Sequence, residues 1–162
     1  MSLYWPSILS LLALVLLANG VPALLSLVCG RARPLDAGRT LADGGPLLGP
    51  SKTWRGLLGA LAGTTLGALL LGLSWGLGVV VAVGAMCGDL ATSFLKRRLG
   101  LAPNASLPVL DQVPEALLPG LLVKAELALG WADLGVSVLA FCALDLILTH
   151  LGRRLLRPQL RD

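Results

Sequence analysis

Apolar residues run along this chain in five long stretches separated by short polar ones: approximately Ser7 to Cys29, Leu57 to Leu73, Leu77 to Leu95, Leu117 to Gly130 with a polar lead-in, and Leu134 to Leu151. At such lengths only a helix satisfies its own backbone in lipid. The pattern therefore predicts an all-α membrane protein of about five transmembrane helices, a single domain over residues 1–162. The opening Met1-Ser-Leu-Tyr-Trp-Pro6 has no basic leader before the first apolar run, so that run reads as a retained span rather than a secretory signal. Tyr4 and Trp5 suit an interfacial anchor. Pro22 predicts a kink, because its ring opposes the carbonyl of Ala18 and it has no amide hydrogen to donate. In the fourth run Glu115, Lys124 and Glu126 break the apolar pattern and Pro119-Gly120 follows the first of them, so this crossing is expected to be tilted, broken or partly re-entrant. Gly59, Gly63 and Gly67 form a small-residue face for close helix approach, either within the chain or, as a homodimer, with a second copy; internal packing is the favoured use.

Composition narrows the class. Of 162 residues, 56% are hydrophobic and 14% charged, against about a quarter charged in soluble domains. Five spans of about 20 residues leave no room for a separate soluble catalytic domain. Twelve of the thirteen Lys and Arg residues fall in the loop of about residues 30–56, at the start of the loop of about 96–114, or in the tail. The positive-inside bias makes that side cytoplasmic, with the N-terminus outside and the C-terminus cytoplasmic. Cys29, Cys87 and Cys142 are odd in number and widely spaced, which indicates neither a disulfide framework nor a zinc site. The lone histidine, His150, reads as a helix-terminal residue.

The chemistry is concentrated on the basic side. At 100° per residue Asp89, Thr92, Ser93 and Lys96 share one face at the end of the third run. A carboxylate there needs a partner, either Lys96 or a metal. Asp111, followed by Gln112, Pro114 and Glu115, lies on the same side and reads as an N-cap or as a second carboxylate of a magnesium site completed by phosphate oxygens. The first loop, with Asp36, Asp43-Gly44-Gly45, Gly49 and Ser51-Lys52-Thr53-Trp54-Arg55, is suited to wrapping anionic oxygens with amides and cations. It departs from a Walker loop, since Pro50 and Ser51 separate Gly49 from Lys52 and no buried strand precedes it.

Taken together, Ala18-Asn19-Gly20-Val21-Pro22, Pro34 to Gly38, Asp43-Gly44 with Ser51 to Gly56, Gly88-Asp89 with Ser93 to Gly100, and Leu107-Pro108 with Leu110-Asp111-Gln112 resemble the CDP-archaeol synthase family of integral membrane cytidylyltransferases, more distantly related to the phosphatidate cytidylyltransferases. The resemblance implies a CTP-dependent enzyme that uses magnesium to transfer CMP to a two-chain lipid phosphate, archaeol-type or phosphatidate-like, giving a CDP-activated lipid and pyrophosphate. It also implies a site facing the cytoplasm in the cell membrane, with CTP and lipid rather than nucleic acid as partners. One departure stands out: relatives look like they carry a second acidic residue three positions after Asp111, where this chain has Pro114, with Glu115 one step later.

In that chemistry Lys52, Arg55, Lys96 and Arg97 are expected to contact phosphates, Thr53 and Ser93 to donate hydroxyl hydrogen bonds, and Asp89 and Asp111 to hold the metal. Asp43, Gly44, Gly49, Lys52 and Thr53 are expected around the nucleotide, with cytidine recognition assigned to Asp43–Gly45 or the Asn104 loop. The competing class is a small transporter with a buried relay of Lys124, Glu126 and Asp145.

Overall fold

A computed structural model describes residues 3–42, 44–101 and 107–156, without the side chains of Pro108 and Val109 or of the last helix beyond Gly152. Among the described residues five helices make the fold: α1 (Trp5–Val28), α2 (Trp54–Leu70), α3 (Trp75–Arg98), α4 (Pro108–Leu122) and α5 (Trp131–Leu156). No strand occurs among the described residues; the only pairings are two isolated bridges in the first loop, Pro34 with Thr53 and Thr40 with Pro46. Among the described residues three helices are, by length and composition, long and apolar enough to cross a membrane: α1, α3 and the Trp131–Gly152 part of α5. At 17 residues α2 is at the lower end of the range of about 17–25 that a span takes, and α4, at 15, is just below it.

Each start has a local cause. The Thr53 hydroxyl accepts the Gly56 amide hydrogen at 3.2 Å to cap α2, and the Ser74 hydroxyl does the same for Leu77 at 3.1 Å on α3. Pro108 opens α4, where a missing amide hydrogen costs nothing. Asp133 caps α5 by accepting from Gly130 at 2.8 Å, and its other oxygen accepts the Tyr4 amide hydrogen at 3.0 Å, tying the starts of α1 and α5 together. Helix α1 is continuous through Pro22.

Helix α1 packs against all four others, whereas α5, among the described residues, touches α1 and α4 only. Leu11, Leu14 and Val15 of α1 meet Leu77 and Val81 of α3, Ala116 of α4 and Leu134 and Phe141 of α5 in the core. The glycine face of α2 is used inside the chain: a Cβ on Gly59, Gly63 or Gly67 would run into Leu25, Val21 or Leu17 of α1, respectively. The internal packing favoured from the sequence is thus the use this face has, and α1 fills the groove that the alternative, a homodimer, would need.

The fourth element lies earlier than its hydropathy indicated. It spans 108–122 rather than 117–130, because its polar lead-in finds partners in the bundle. Residues 123–128 form turns, in which Ala128 takes a positive φ of 52°. Lys124 and Glu126 sit in this turn. The lysine lies 4.6 Å above the Trp131 ring, and Glu126 accepts from the Ser74 hydroxyl at 3.1 Å. The α4–α5 connection thus carries the one basic residue outside the cationic loops and tail.

Candidate active site

The long loop between α1 and α2 is folded onto itself by one carboxylate. Asp36 is 6% exposed. Its Oδ1 accepts from the Gly38 amide at 3.0 Å, and its Oδ2 from those of Leu48 and Gly49 at 2.9 and 3.0 Å. Burial pushes its pKa up, but these amide bonds outweigh that and hold the carboxyl below the usual range. Gly38 at φ 74° and Gly49 at φ 101° supply the left-handed turns that bring the amides round. The loop ends in two backbone bonds, Leu35 amide to Lys52 carbonyl at 2.7 Å and Trp54 amide to Arg33 carbonyl at 3.1 Å. These fix Lys52 at the mouth of α2.

From there the Lys52 ammonium reaches α3 and donates to both oxygens of Asp89, at 2.5 and 2.7 Å, with both side chains 20% exposed. Lys96 forms a separate pair with Asp111 at 2.8 Å. The Asp89–Lys96 pair that the sequence offered as one alternative is not made. The two residues share a face of α3 but stand roughly 10 Å apart along it, and each finds an opposite charge on another element closer by.

Glu115 is the group that sequence reasoning undervalued. Its carboxyl comes within hydrogen-bonding reach of Asp89 and within electrostatic range of Lys52 and Asp145. The close approach depends on Gly88, where a Cβ would sit 2.5 Å from the Pro114 carbonyl oxygen and 2.8 Å from the Glu115 nitrogen. Gly84 permits the same intimacy with Pro119. The signal was present in the sequence as Gly88 beside Asp89, but its meaning depends on which helix approaches.

Lys52, Thr53, Arg55, Asp89 and Glu115 line one cavity of about 660 Å³, whose other wall is the Asn19, Pro22 and Ser26 side of α1. Arg55 also donates to the Cys29 and Gly30 carbonyls at 3.0 and 2.6 Å, closing the end of α1. Gly44 and Gly49 shape the loop and do not line this cavity, and the Gly49 amide is already given to Asp36. Ser93 is buried in α3 away from the lining, and Arg97 donates to the Leu101 carbonyl at 2.6 Å. Asp43 and the Asn104 loop lie outside the described residues.

The relay of Lys124, Glu126 and Asp145 does not form. Asp145 accepts from the Gln112 side chain at 2.7 Å, next to the Asp89 cluster. Lys124 and Glu126 belong to the turn at Trp131 and Ser74, roughly 20 Å away along α5.

Among the described residues no three acidic, histidine or cysteine side chains converge as a metal cage. Two carboxylates side by side nevertheless suit magnesium, which takes one or two and completes its shell with phosphate oxygens and water.

Comparison with known proteins places this architecture. The family model described as CarS-like, CDP-archaeol synthase, matches residues 6–160. Curated CDP-archaeol synthases from Hyperthermus butylicus, Methanopyrus kandleri and Aeropyrum pernix are 42%, 43% and 37% identical over 112, 119 and 143 residues. These stretches cover 64%, 68% and 85% of this chain, which spans 65%, 69% and 78% of the length of those relatives. A solved intramembrane enzyme for archaeal membrane-lipid biosynthesis superposes with a TM-score of 0.68 at 33% identity, covering 84% of this chain and 90% of its own. A match that omits only the ends of the chain, together with a bundle shared with an intramembrane enzyme, means that this protein belongs to the CDP-archaeol synthase family.

Proposed function

We propose that this protein transfers CMP from CTP to the phosphate of an archaeol-type lipid in the membrane, releasing pyrophosphate. The observation that carries this reading is the Lys52–Asp89–Glu115 cluster on the wall of a cavity bounded by apolar helices, in a chain of this family. A lipid phosphate oxygen attacks the α-phosphorus of CTP, and the bond to the pyrophosphate oxygen breaks. Attack and departure in line require two polyanions to be held together, so positioning and charge neutralisation are what the protein must supply.

Lys52 is placed to exchange its carboxylate for phosphate oxygens, and Lys96 to do the same from the end of α3. Arg55 and the capping hydroxyl of Thr53 complete the cationic rim at the start of α2. Asp89 with Glu115, and Asp111 of α4 beside Lys96, are the groups to hold magnesium. When bound, that ion supplies charge neutralisation on the reacting phosphates. Glu115 thereby takes up the acidic role that Pro114 leaves vacant. No covalent protein intermediate is needed, and the cationic rim is read as facing the cytoplasm, where CTP is found.

Purified protein in detergent, labelled CTP, magnesium and a choice of archaeol-type phosphate or phosphatidic acid test the reading. Metal-dependent label in the ether lipid, lost in Asp89→Asn, is the expected result. Absence of lipid-soluble label with every lipid phosphate would overturn it, and equal labelling of phosphatidic acid would overturn the choice of acceptor.

A further inference from the structure

We infer that Gln112 and Asp145 form a positioning pair that uses α5 to set where α4 presents its carboxylates. This rests on the proposed cytidylyl transfer. Gln112 is 5% exposed, and its side-chain amide donates to Asp145 Oδ2 at 2.7 Å. It lies between Asp111, paired with Lys96, and Glu115, which comes within hydrogen-bonding reach of Asp89. Any rotation or slide of the first turns of α4 would move both carboxylates together. On one side this segment is braced by Gly88 against Pro114. On the other, the Gln112–Asp145 hydrogen bond is a polar tie to α5, whose neighbours among the described residues are α1 and α4. A helix beginning at Pro108 has few of its own hydrogen bonds by residue 112, so an external tie has most leverage there.

A half-buried carboxylate held this way also answers why α5 carries an acidic residue in an apolar stretch. Such residues are costly in a span and are retained where they have a partner. Asp145 does not line the cavity. It acts through Gln112 and is a positioning residue.

The test exploits the direction of the bond. Asp145→Asn keeps an oxygen that accepts from Gln112 and is expected to retain activity within about threefold. Gln112→Glu sets two carboxylates against each other. It is expected to lower kcat by roughly 10- to 100-fold while the KM for CTP stays within about threefold, since misplacing reacting groups by about 1 Å has effects of this order. Combining Gln112→Glu with Asp145→Asn reverses donor and acceptor and is expected to restore kcat. Amide hydrogen exchange over Asp111 to Glu115 is expected to follow the same pattern: faster in Gln112→Glu, slow again in the double variant. Failure of the double variant to recover either quantity, or an unaltered kcat in Gln112→Glu, overturns the pair. Should Gln112→Glu fail to fold, recovery of a folded, active double variant supports the pair and its failure to recover overturns it. If the wild-type protein labels no lipid, the proposed reaction falls, and the exchange pattern still decides whether this tie sets α4.

Discussion

A lysine held between both oxygens of one carboxylate is satisfied until a stronger anion and a stronger cation arrive together. Lys52 and Asp89 have that relation, and the neighbouring Glu115 leaves the cluster with more acid than base. Replacing Lys52 with Met should therefore remove a phosphate contact and leave the two carboxyls uncompensated. Steady-state kinetics with CTP are expected to show kcat/KM lower by roughly 10²- to 10³-fold, the range for deleting a preorganised charge contact. Asp36 acts away from the chemistry. Its carboxyl is stabilised in the folded loop, with a pKa below the unfolded value of about 3.9, so its contribution is complete above that value and is lost as pH falls through the folded pKa. Between pH 5 and 8 the loop should be indifferent to pH on this account. Asp36→Ala should loosen the loop at every pH in that window by about 1–3 kcal/mol, read as faster amide exchange at Gly38, Leu48 and Gly49. Asp89 and Lys52 stood out in the sequence because a carboxylate in an apolar run and a lysine in a glycine-rich loop each demand an explanation. The importance of Asp36 did not stand out. Its partners are backbone amides up to thirteen residues away, and amides leave no mark on residue identity.

Between residues and the bundle stand the helices, and here glycine decides where they touch. Gly88 lets α4 come so close that the Pro114 carbonyl occupies the space of a methyl group, and Glu115 meets Asp89 as a consequence. Gly88→Ala must push α4 away from α3. The expected loss is about 1–3 kcal/mol of stability, typical of overpacking, with activity reduced far more than stability. Gly20 in α1 is the matched control, because a Cβ there meets nothing within 4 Å. Gly20→Ala should keep activity and hold or raise the apparent melting temperature, since alanine is favoured over glycine in a helix by about 1 kcal/mol. Comparing the two by thermal denaturation in detergent, alongside the transfer assay, separates close contact from general helix preference. Helices α1, α2, α3 and α5 could be drawn from hydropathy, because their polar residues lie at the ends or on one face. Helix α4 could not, since Asp111, Gln112 and Glu115 make it look like a loop until Lys96, Asp145 and Asp89 are in place to receive them.

Taken whole, the molecule has two chemically distinct ends. All four tryptophans begin a helix, and all are more than half exposed. With five helices running alternately, Trp5, Trp75 and Trp131 gather at one end and Trp54 at the other, as aromatic belts at two membrane surfaces require. The Trp54 end carries Lys52, Arg55, Lys96 and Arg98, while Lys124, stacked on Trp131, is the basic residue of the opposite turn. The proposed function takes the Trp54 end to be inside, as expected if positive loops are retained in the cytoplasm. In a cysteine-free background, Ser74→Cys should then react with a membrane-impermeant maleimide in intact cells, and Gly45→Cys should react only after permeabilisation. Both sites lie in connections between helices, and neither lines the cavity, so transfer activity serves to confirm folding of each variant. Labelling of position 45 from outside would reverse the orientation and put the cationic rim on the side without CTP. That outcome would leave the bundle intact and remove the nucleotide from its proposed use. Orientation is thus the property of the whole chain on which the proposed chemistry of Lys52 and Asp89 depends.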